Sequence, residues 1–226
     1  MQRVFDILLS GFALLVFLPL MLPVMLALRL SGEGEVFFVQ SRIGRHGRPF
    51  GLYKFATMLR DSPSMGTGTV TLKDDPRVLP MGRFLRRYKI NELPQLLNVL
   101  RGDMSLVGPR PQTTRCFEAY PERSRAAILQ VPPGMSGIGA IVFHDEEQLL
   151  QDGAAEDLYD RVIMPYKGLI EEWYVARRGL RVYLACLALT VWVVLRPRSG
   201  AVWTLFPDLP PPPPELAAPL AWRDRR

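Results

Sequence analysis

The sequence predicts an α+β fold, mainly helical, and three observations predict it. Residues 7–28 form an uncharged apolar run long enough to cross a bilayer as a helix. Val36–Gln40 and Phe50–Phe55 read as strands on either side of the turn-forming GRHGRP (Gly44–Pro49), a small β-hairpin. Beyond it, apolar residues recur at helical spacing, most clearly at Leu93, Leu96, Leu97 and Leu100.

The first segment carries two internal prolines, Pro19 and Pro23. Each removes a backbone donor and favours a break in the middle of the run. A bent, re-entrant helix, entering and leaving by one face with its freed carbonyls satisfied locally, is favoured over a straight spanning helix. The long run without a small-x-small cleavage site argues against a signal peptide. Arg29, Arg42, Arg45, Arg48 and Lys54 crowd its C-terminal side, which predicts a cytoplasmic main domain.

The remaining elements follow in order. Residues 61–75 read as a polar loop ending in Asp74-Asp75-Pro76, and 82–90 as a basic helix. A new helix is predicted to start at Asn91 as N-cap, with Glu92 and Pro94 in its first turn and Gly102 as its stop. Residues 113–130 read as one further helix, 131–139 as a turn-rich connector, and 145–178 as a mostly polar helical stretch. Val182–Leu195 is an apolar run too short to span comfortably. It suits a buried helix or one in the membrane interface, with Tyr183 and Trp192 at the boundary. From Pro207 onward LPPPPPELAAP predicts an extended, poorly packed tail. The chain thus divides into 1–30, 31–196 and 197–226.

The 226 residues carry 28 basic and 22 acidic side chains, a net charge of +6, which favours an anionic partner. The basic residues are scattered and lack an aromatic-rich signature, which argues against nucleic acid. Cys116 and Cys186 lie far apart without metal-ligand spacing, as in a reducing compartment. His46 and His144 are isolated and read as surface or structural residues, and no zinc pattern is present.

The densest chemistry lies in Arg86–Pro111, RRYKINELPQLLNVLRGDMSLVGPRP. Four arginines and a lysine accompany Asn91, Glu92 and Asp103 around an apolar helical pattern. Cations and a carboxylate beside an apolar face suit a phosphorylated ligand, because phosphoryl transfer is largely positioning and charge neutralisation. Each residue also has a plainer reading. Glu92 can face a helix dipole, Asn91 can cap, and Lys54, Arg77, Arg86 and Arg110 can be solvated charges.

Several pieces now stand in a recognisable order: the N-terminal apolar segment with Pro19, FFVQSRIGRHGRPFGLYKF (Phe37–Phe55), DPRV (Asp75–Val78), GRFLRR (Gly82–Arg87), NELPQLLNVLRGDMSLVGPRP (Asn91–Pro111) and PPGMSGIG (Pro132–Gly139). Over roughly residues 1–195 the chain resembles the bacterial sugar transferases, the monotopic phosphoglycosyl transferases that move a hexose-1-phosphate from a nucleotide sugar to a polyprenyl phosphate. The resemblance implies a re-entrant membrane helix bent at Pro19 and a membrane-surface helical catalytic domain on inner-membrane lipid, at the cytoplasmic face of the bacterial inner membrane. It implies a Mg²⁺-dependent two-step reaction on a UDP-sugar in surface polysaccharide or glycoconjugate assembly. It places Asn91 and Glu92 at the catalytic position, Glu92 on the metal, and Lys54, Arg77, Arg86 and Arg110 on the substrate.

Three positions depart from the family pattern. The Asp-Glu pair reads Asn91-Glu92, the Lys-Phe-Arg element reads Lys54-Phe55-Ala56, and the Ser-Pro pair reads Leu18-Pro19. A neutral amide cannot attack phosphorus as a carboxylate does. An active transferase then uses Glu92 itself or direct attack by the lipid phosphate. The alternative is a silent relative that binds the same ligands or pairs with an active copy, as a homo- or heterodimer. A third reading is a membrane-anchored scaffold recruiting a partner through the proline tail.

Overall fold

The computed structural model describes residues 1–65, 75–144, 146, 155–196 and 199–222. The first element is one long helix, α1 (Gln2–Leu30), and among the described residues it alone is long and apolar enough to cross a membrane. Neither Pro19 nor Pro23 ends it, contrary to the expected break. Each proline removes a single backbone hydrogen bond, and the turns after them are held by packing. Met21, Val24 and Leu28 are buried against Phe55 and Leu85. Much of the rest of α1, including Phe12, Leu15, Val16, Leu22 and Leu26, is exposed.

Two charges before the apolar run anchor the start of α1. Asp6 is buried, and its Oδ1 accepts from Tyr183 Oη (2.8 Å), Ser105 Oγ (3.0 Å) and the Leu106 N–H (2.9 Å). Arg3 donates to the carbonyls of Val99 and Leu100, the last turn of a following helix, whose free carbonyls need donors.

Strands β1 (Phe37–Ile43) and β2 (Pro49–Phe55) pair antiparallel, Phe37 opposite Phe55 and Ile43 opposite Pro49. This is the expected hairpin. His46 sits in its turn at φ +58 and is exposed. Helix α2 (Pro80–Arg87) follows.

The expected helix from Asn91 begins later. Lys89 turns left-handed (φ +56), Ile90–Glu92 form a 3₁₀ turn, and α3 runs from Gln95 to Arg101. Pro94 has no N–H to donate, so the chain tightens into i→i−3 bonds, including Leu93 N to the Ile90 carbonyl at 3.1 Å. Gly102 closes α3 at φ +94, as expected. Asn98 ties α3 to the hairpin: its amide bonds the Gly51 carbonyl (2.8 Å) and the Tyr53 N–H (3.0 Å).

Residues 131–139 are not simply a connector. Gly134–Ser136 form a short strand, β4, that pairs parallel with β3 (Ser105–Val107). A Cβ on Gly134 would lie 2.1 Å from the Gly108 nitrogen, so the close approach requires glycine there. The single helix expected over 113–130 is two, α4 (Thr114–Glu118) and α5 (Glu122–Ile128), interrupted at Pro121. Helix α6 (Ile138–Val142) follows β4.

The expected polar helical stretch over 145–178 falls partly outside the described residues. What is described is α7 (Ala155–Leu158), a π turn (Tyr159–Ile163) and α8 (Met164–Arg177). Helix α8 is a core helix: Met164, Ile170, Trp173 and Tyr174 are buried, and its charges are mostly paired. Helix α9 (Leu180–Leu195) buries Tyr183, Cys186, Leu189 and Val193, and exposes Leu184, Val191, Trp192, Val194 and Leu195. Both cysteines are free and buried.

The tail is packed rather than loose. Helices α10 (Ala201–Leu205) and α11 (Pro214–Ala217) contribute Val202, Trp203 and Leu216 to the core, with Phe206, Leu209 and Leu220 beside them. Its apolar side chains find a surface on α8, where the Trp173 and Phe206 rings meet at 5.1 Å. That burial outweighs the extended preference of the proline run.

Candidate active site

A groove of about 1050 Å³ lies where the hairpin, α2 and the Asn91–Glu92 turn face α6, α8 and α9. Its lining includes Arg42 from β1, Lys54 from β2, Arg86 from α2, Asn91, Glu92, and Arg110 from the segment after β3. Ala13 and Phe17 of α1 and Leu187 and Val193 of α9 extend it into apolar walls.

The local structure explains how these side chains meet. Arg110 stands between two prolines whose carbonyls are both tied down. The Pro109 carbonyl accepts from the Gly134 N–H (2.8 Å), and the Pro111 carbonyl from Arg42 Nη1 (3.1 Å). The 3₁₀ turn forced by Pro94 presents Glu92, whose Oε1 accepts from Arg110 Nη2 at 2.9 Å. The Glu92 side chain is 14% exposed and that of Arg110 37%.

Electrostatics make this corner an anion site. Burial alone would raise the Glu92 carboxyl, but Arg110 and Lys54 overcome it and hold Glu92 well below the usual carboxylate range. Glu92 in turn raises Arg110 above its ordinary value against the opposing effect of burial. Desolvation, with Arg42 next, pushes the Lys54 ammonium down to about 7. Desolvation, then Arg110, pushes Arg42 down to about 10. Three cations crowd one carboxylate, and further negative charge would relieve them. A phosphorylated anion would supply it.

Asn91 is 6% exposed, and its Oδ1 has no hydrogen-bond partner. It is not a helix cap, since α3 begins at Gln95. The unpartnered Asn91 amide oxygen and the Glu92 oxygen not bonded to Arg110 are hard-oxygen donors of the kind Mg²⁺ would take with substrate phosphates and water completing its shell. Among the described residues no three His, Cys, Asp or Glu side chains converge as a closed metal cage.

Arg77 does not join the groove lining. It is 4% exposed and forked onto Asp75 (Nε–Oδ1 2.9 Å, Nη2–Oδ2 2.6 Å), and its Nη1 donates to the carbonyls of Ser62 (2.9 Å) and Met65 (2.7 Å). In this position Arg77 acts as a buried loop staple. Pro19 is exposed within α1.

Several groove residues were not singled out by sequence. Sequence alone marks Arg42 only as one of the charges that set the orientation of the apolar segment. His144 lines the groove rather than standing isolated. Glu171 is 1% exposed on α8, and burial pushes its carboxyl up to about 7. The backbone N–H groups of Arg110 and Gly139 face it. A Cβ on Gly139 would lie 2.2 Å from Glu171 Oε1, so the carboxylate and the glycine define one another's space. An acid falling among Ile170, Trp173 and Tyr174 was the available signal.

Comparison with known proteins gives the family. The chain belongs to the bacterial sugar transferase family, whose model matches residues 1–197. It is 38% identical over 184 residues to the undecaprenyl-phosphate glucose phosphotransferase of Komagataeibacter xylinus, covering 77% of this chain and 33% of that protein. It is 42% identical over 144 residues to the UDP-glucose:undecaprenyl-phosphate glucose-1-phosphate transferase of Caulobacter vibrioides, covering 62% and 53%. It is 36% identical over 195 residues to the uncharacterized sugar transferase EpsL of Bacillus subtilis, covering 86% and 87%. The chain therefore spans about a third of the first of these relatives, about half of the second and most of the third.

Proposed function

We propose that this chain transfers a hexose-1-phosphate from a UDP-sugar to undecaprenyl or a similar polyprenyl phosphate, the first membrane step of surface polysaccharide or glycoconjugate assembly. One observation carries the reading. Arg42, Lys54 and Arg110 converge around Glu92 in a groove that continues into apolar walls from α1 and α9. Such a groove suits a diphosphate donor and a lipid acceptor together. The activity in the names of the K. xylinus and C. vibrioides relatives supports it. The silent, partner-only reading finds no such support.

The chain's residues divide the work. Arg42, Lys54, Arg86 and Arg110 neutralise the diphosphate, and Glu92 and the Asn91 amide oxygen are the donors for Mg²⁺. Bound there, the metal would polarise the phosphoryl oxygens and draw charge from the departing nucleotide. Asn91 cannot attack phosphorus, so the attacking oxygen belongs either to Glu92 or to the lipid phosphate. In both cases the bond between the two donor phosphates breaks and the nucleoside monophosphate leaves.

The exposed apolar surfaces of α1 and α9 support seating on inner-membrane lipid from the cytoplasmic side. A re-entrant α1, one that curves without a break in its helix, agrees with Arg3 and Arg29 flanking the apolar run at both ends.

Purified full-length protein, Mg²⁺, a panel of UDP-sugars and polyprenyl phosphate test the reading. UMP release with a lipid-linked sugar phosphate is expected, and no UMP above blank with any sugar rejects it. Intact-mass analysis without lipid separates the two routes: a phosphosugar adduct on Glu92 marks the covalent route, and its absence with full turnover marks direct transfer.

A further inference from the structure

The groove sorts its charge along its length. At the α2 end Arg83, Arg86, Arg87 and Lys89 outnumber the acids Glu35 and Asp75, and the lining is cationic. Beyond Arg110, toward α6 and α8, the lining changes to Glu146, Glu171, His144 and Tyr159. Lys167 is 5% exposed, and its Nζ donates to Glu146 Oε1 at 2.5 Å. The same Nζ lies 4.9 Å from the Phe143 ring centre and 5.8 Å from that of Tyr159. Ring faces and carboxylate together fix the ammonium, and the ammonium fixes Glu146, whose side chain keeps 24% exposure. On the same helix, Glu171 is nine-tenths buried and more, lines the groove, and has an Oε2 with no hydrogen-bond partner.

We propose that this acidic end, Glu146 held by Lys167 with Glu171 on the same helix, receives the sugar ring of the nucleotide sugar and selects among hexoses by their hydroxyls. The assignment rests on the transferase reading above. The Glu146 carboxylate oxygens only accept, and a phosphate near neutral pH offers almost nothing to donate, so Glu146 gives the diphosphate no hydrogen bond. Sugar hydroxyls donate freely. The order of groups in the donor agrees: the sugar hangs from the phosphorus under attack, at Glu92 and Arg110, and the nucleoside lies on the other side of the diphosphate, toward the cationic α2 end. Glu146 is close enough to Arg110 to raise it, so the acidic end adjoins the phosphate site. A site that hydrogen-bonds a hydroxyl discriminates strongly against an isomer that misplaces it.

Binding measurements on full-length protein in detergent with Mg²⁺ test this, using UDP, UDP-glucose, UDP-galactose and UDP-N-acetylglucosamine. At least one UDP-sugar is expected to bind about tenfold more tightly than UDP, the worth of one hydrogen bond to a charged group. E146Q keeps the shape but not the charge, and should shrink that gap to about twofold while leaving UDP affinity within about twofold. A gap unchanged in E146Q overturns the proposal. So does an equal loss for UDP and UDP-sugar, which would place the nucleoside at this end, and so does a wild type that prefers none of the sugars over UDP. Should E146Q melt at lower temperature than wild type, E146D reads the same contact. Moving the carboxylate by one methylene should change the glucose-to-galactose affinity ratio about tenfold, and an unchanged ratio overturns the proposal. Failure of the wild type to make lipid-linked product with any sugar is a different result, which strikes the transferase reading instead.

Discussion

Arg110 Nη2 stands 2.9 Å from Glu92 Oε1, and this pair joins two distant turns of the chain across the floor of the groove. Replacing Arg110 by Met leaves Glu92 beside Lys54 without its main partner. Breaking a buried pair costs about 3–5 kcal/mol. Arg110 is 37% exposed, so a loss of about 1–2 kcal/mol is expected, read by thermal or chemical melting. Transfer should fall further, about 100-fold in kcat/KM, because the guanidinium also faces developing charge. R110K should recover only part, since an ammonium cannot hold carboxylate and phosphate in one fork. Full activity in R110M would remove Arg110 from the reaction.

Lys54 makes the site sensitive to pH. Its folded value of about 7 lies below the ordinary 10.5. The folded chain therefore binds fewer protons than the unfolded chain between those values, and stability attributable to this group rises with pH across that window. The cost of burying the ammonium is full below pH 7 and gone above about 10.5. K54M should accordingly melt higher than wild type at pH 6, with the difference shrinking steadily toward pH 10. Diphosphate binding has the opposite dependence. It favours the charged lysine, so UDP should take up a proton on binding at pH 8 and bind more weakly as pH rises. Calorimetry in buffers of different ionisation enthalpy reads the proton directly, and K54M should abolish it.

The legible parts of this molecule were those where local chemistry and tertiary structure agree. The hairpin was readable because Phe37–Phe55 combines strand formers with GRHGRP and needs only itself to pair. Glu92 stood out as an acid beside an apolar helical pattern, and Arg110 through the motif it shares with the family. Strand β3 is three residues long and fully buried, too short to show alternation, and its partner Gly134–Ser136 reads as a turn. Glu171 was hidden because an acid in a helix usually means a solvated face, and only the packing of α6 and the Arg110 segment over α8 shows otherwise. The N-cap reading of Asn91 failed because Pro94 delays the helix by a turn.

Arg77 is expected to behave as a structural residue. Its fork onto Asp75 and two loop carbonyls is buried, with side-chain exposures of 5% and 3%. R77M removes the guanidinium that Asp75 and the two loop carbonyls share, and a loss of about 3–5 kcal/mol is expected from breaking a buried pair. UDP affinity measured well below the variant's melting temperature should stay within about threefold of wild type, a change of less than 1 kcal/mol. A variant that melts normally but loses UDP binding would return Arg77 to the substrate.

The family match ends at residue 197, yet the described residues beyond it hold one side of α8. Tyr166 Oη donates to the Pro210 carbonyl at 2.8 Å, Trp173 Nε1 to Asp208 at 3.2 Å, and Arg177 pairs with Asp208 at 2.6 Å. Residues 166, 173 and 177 share a stripe at helical spacing, while Lys167 and Glu171 line the groove. The tail therefore seats the helix that forms the groove's rear wall. Truncation after residue 198 uncovers Trp173 and removes the burial of Phe206, Leu209, Leu216 and Leu220, each worth about 1.5–3 kcal/mol. Even with relaxation, a melting temperature at least about 8 °C lower is expected. D208N should cost only about 1 °C or less, because Asp208 and Arg177 are each about half exposed and an exposed pair contributes little. A truncated chain that melts and transfers like the full one would show that α8 needs no such support.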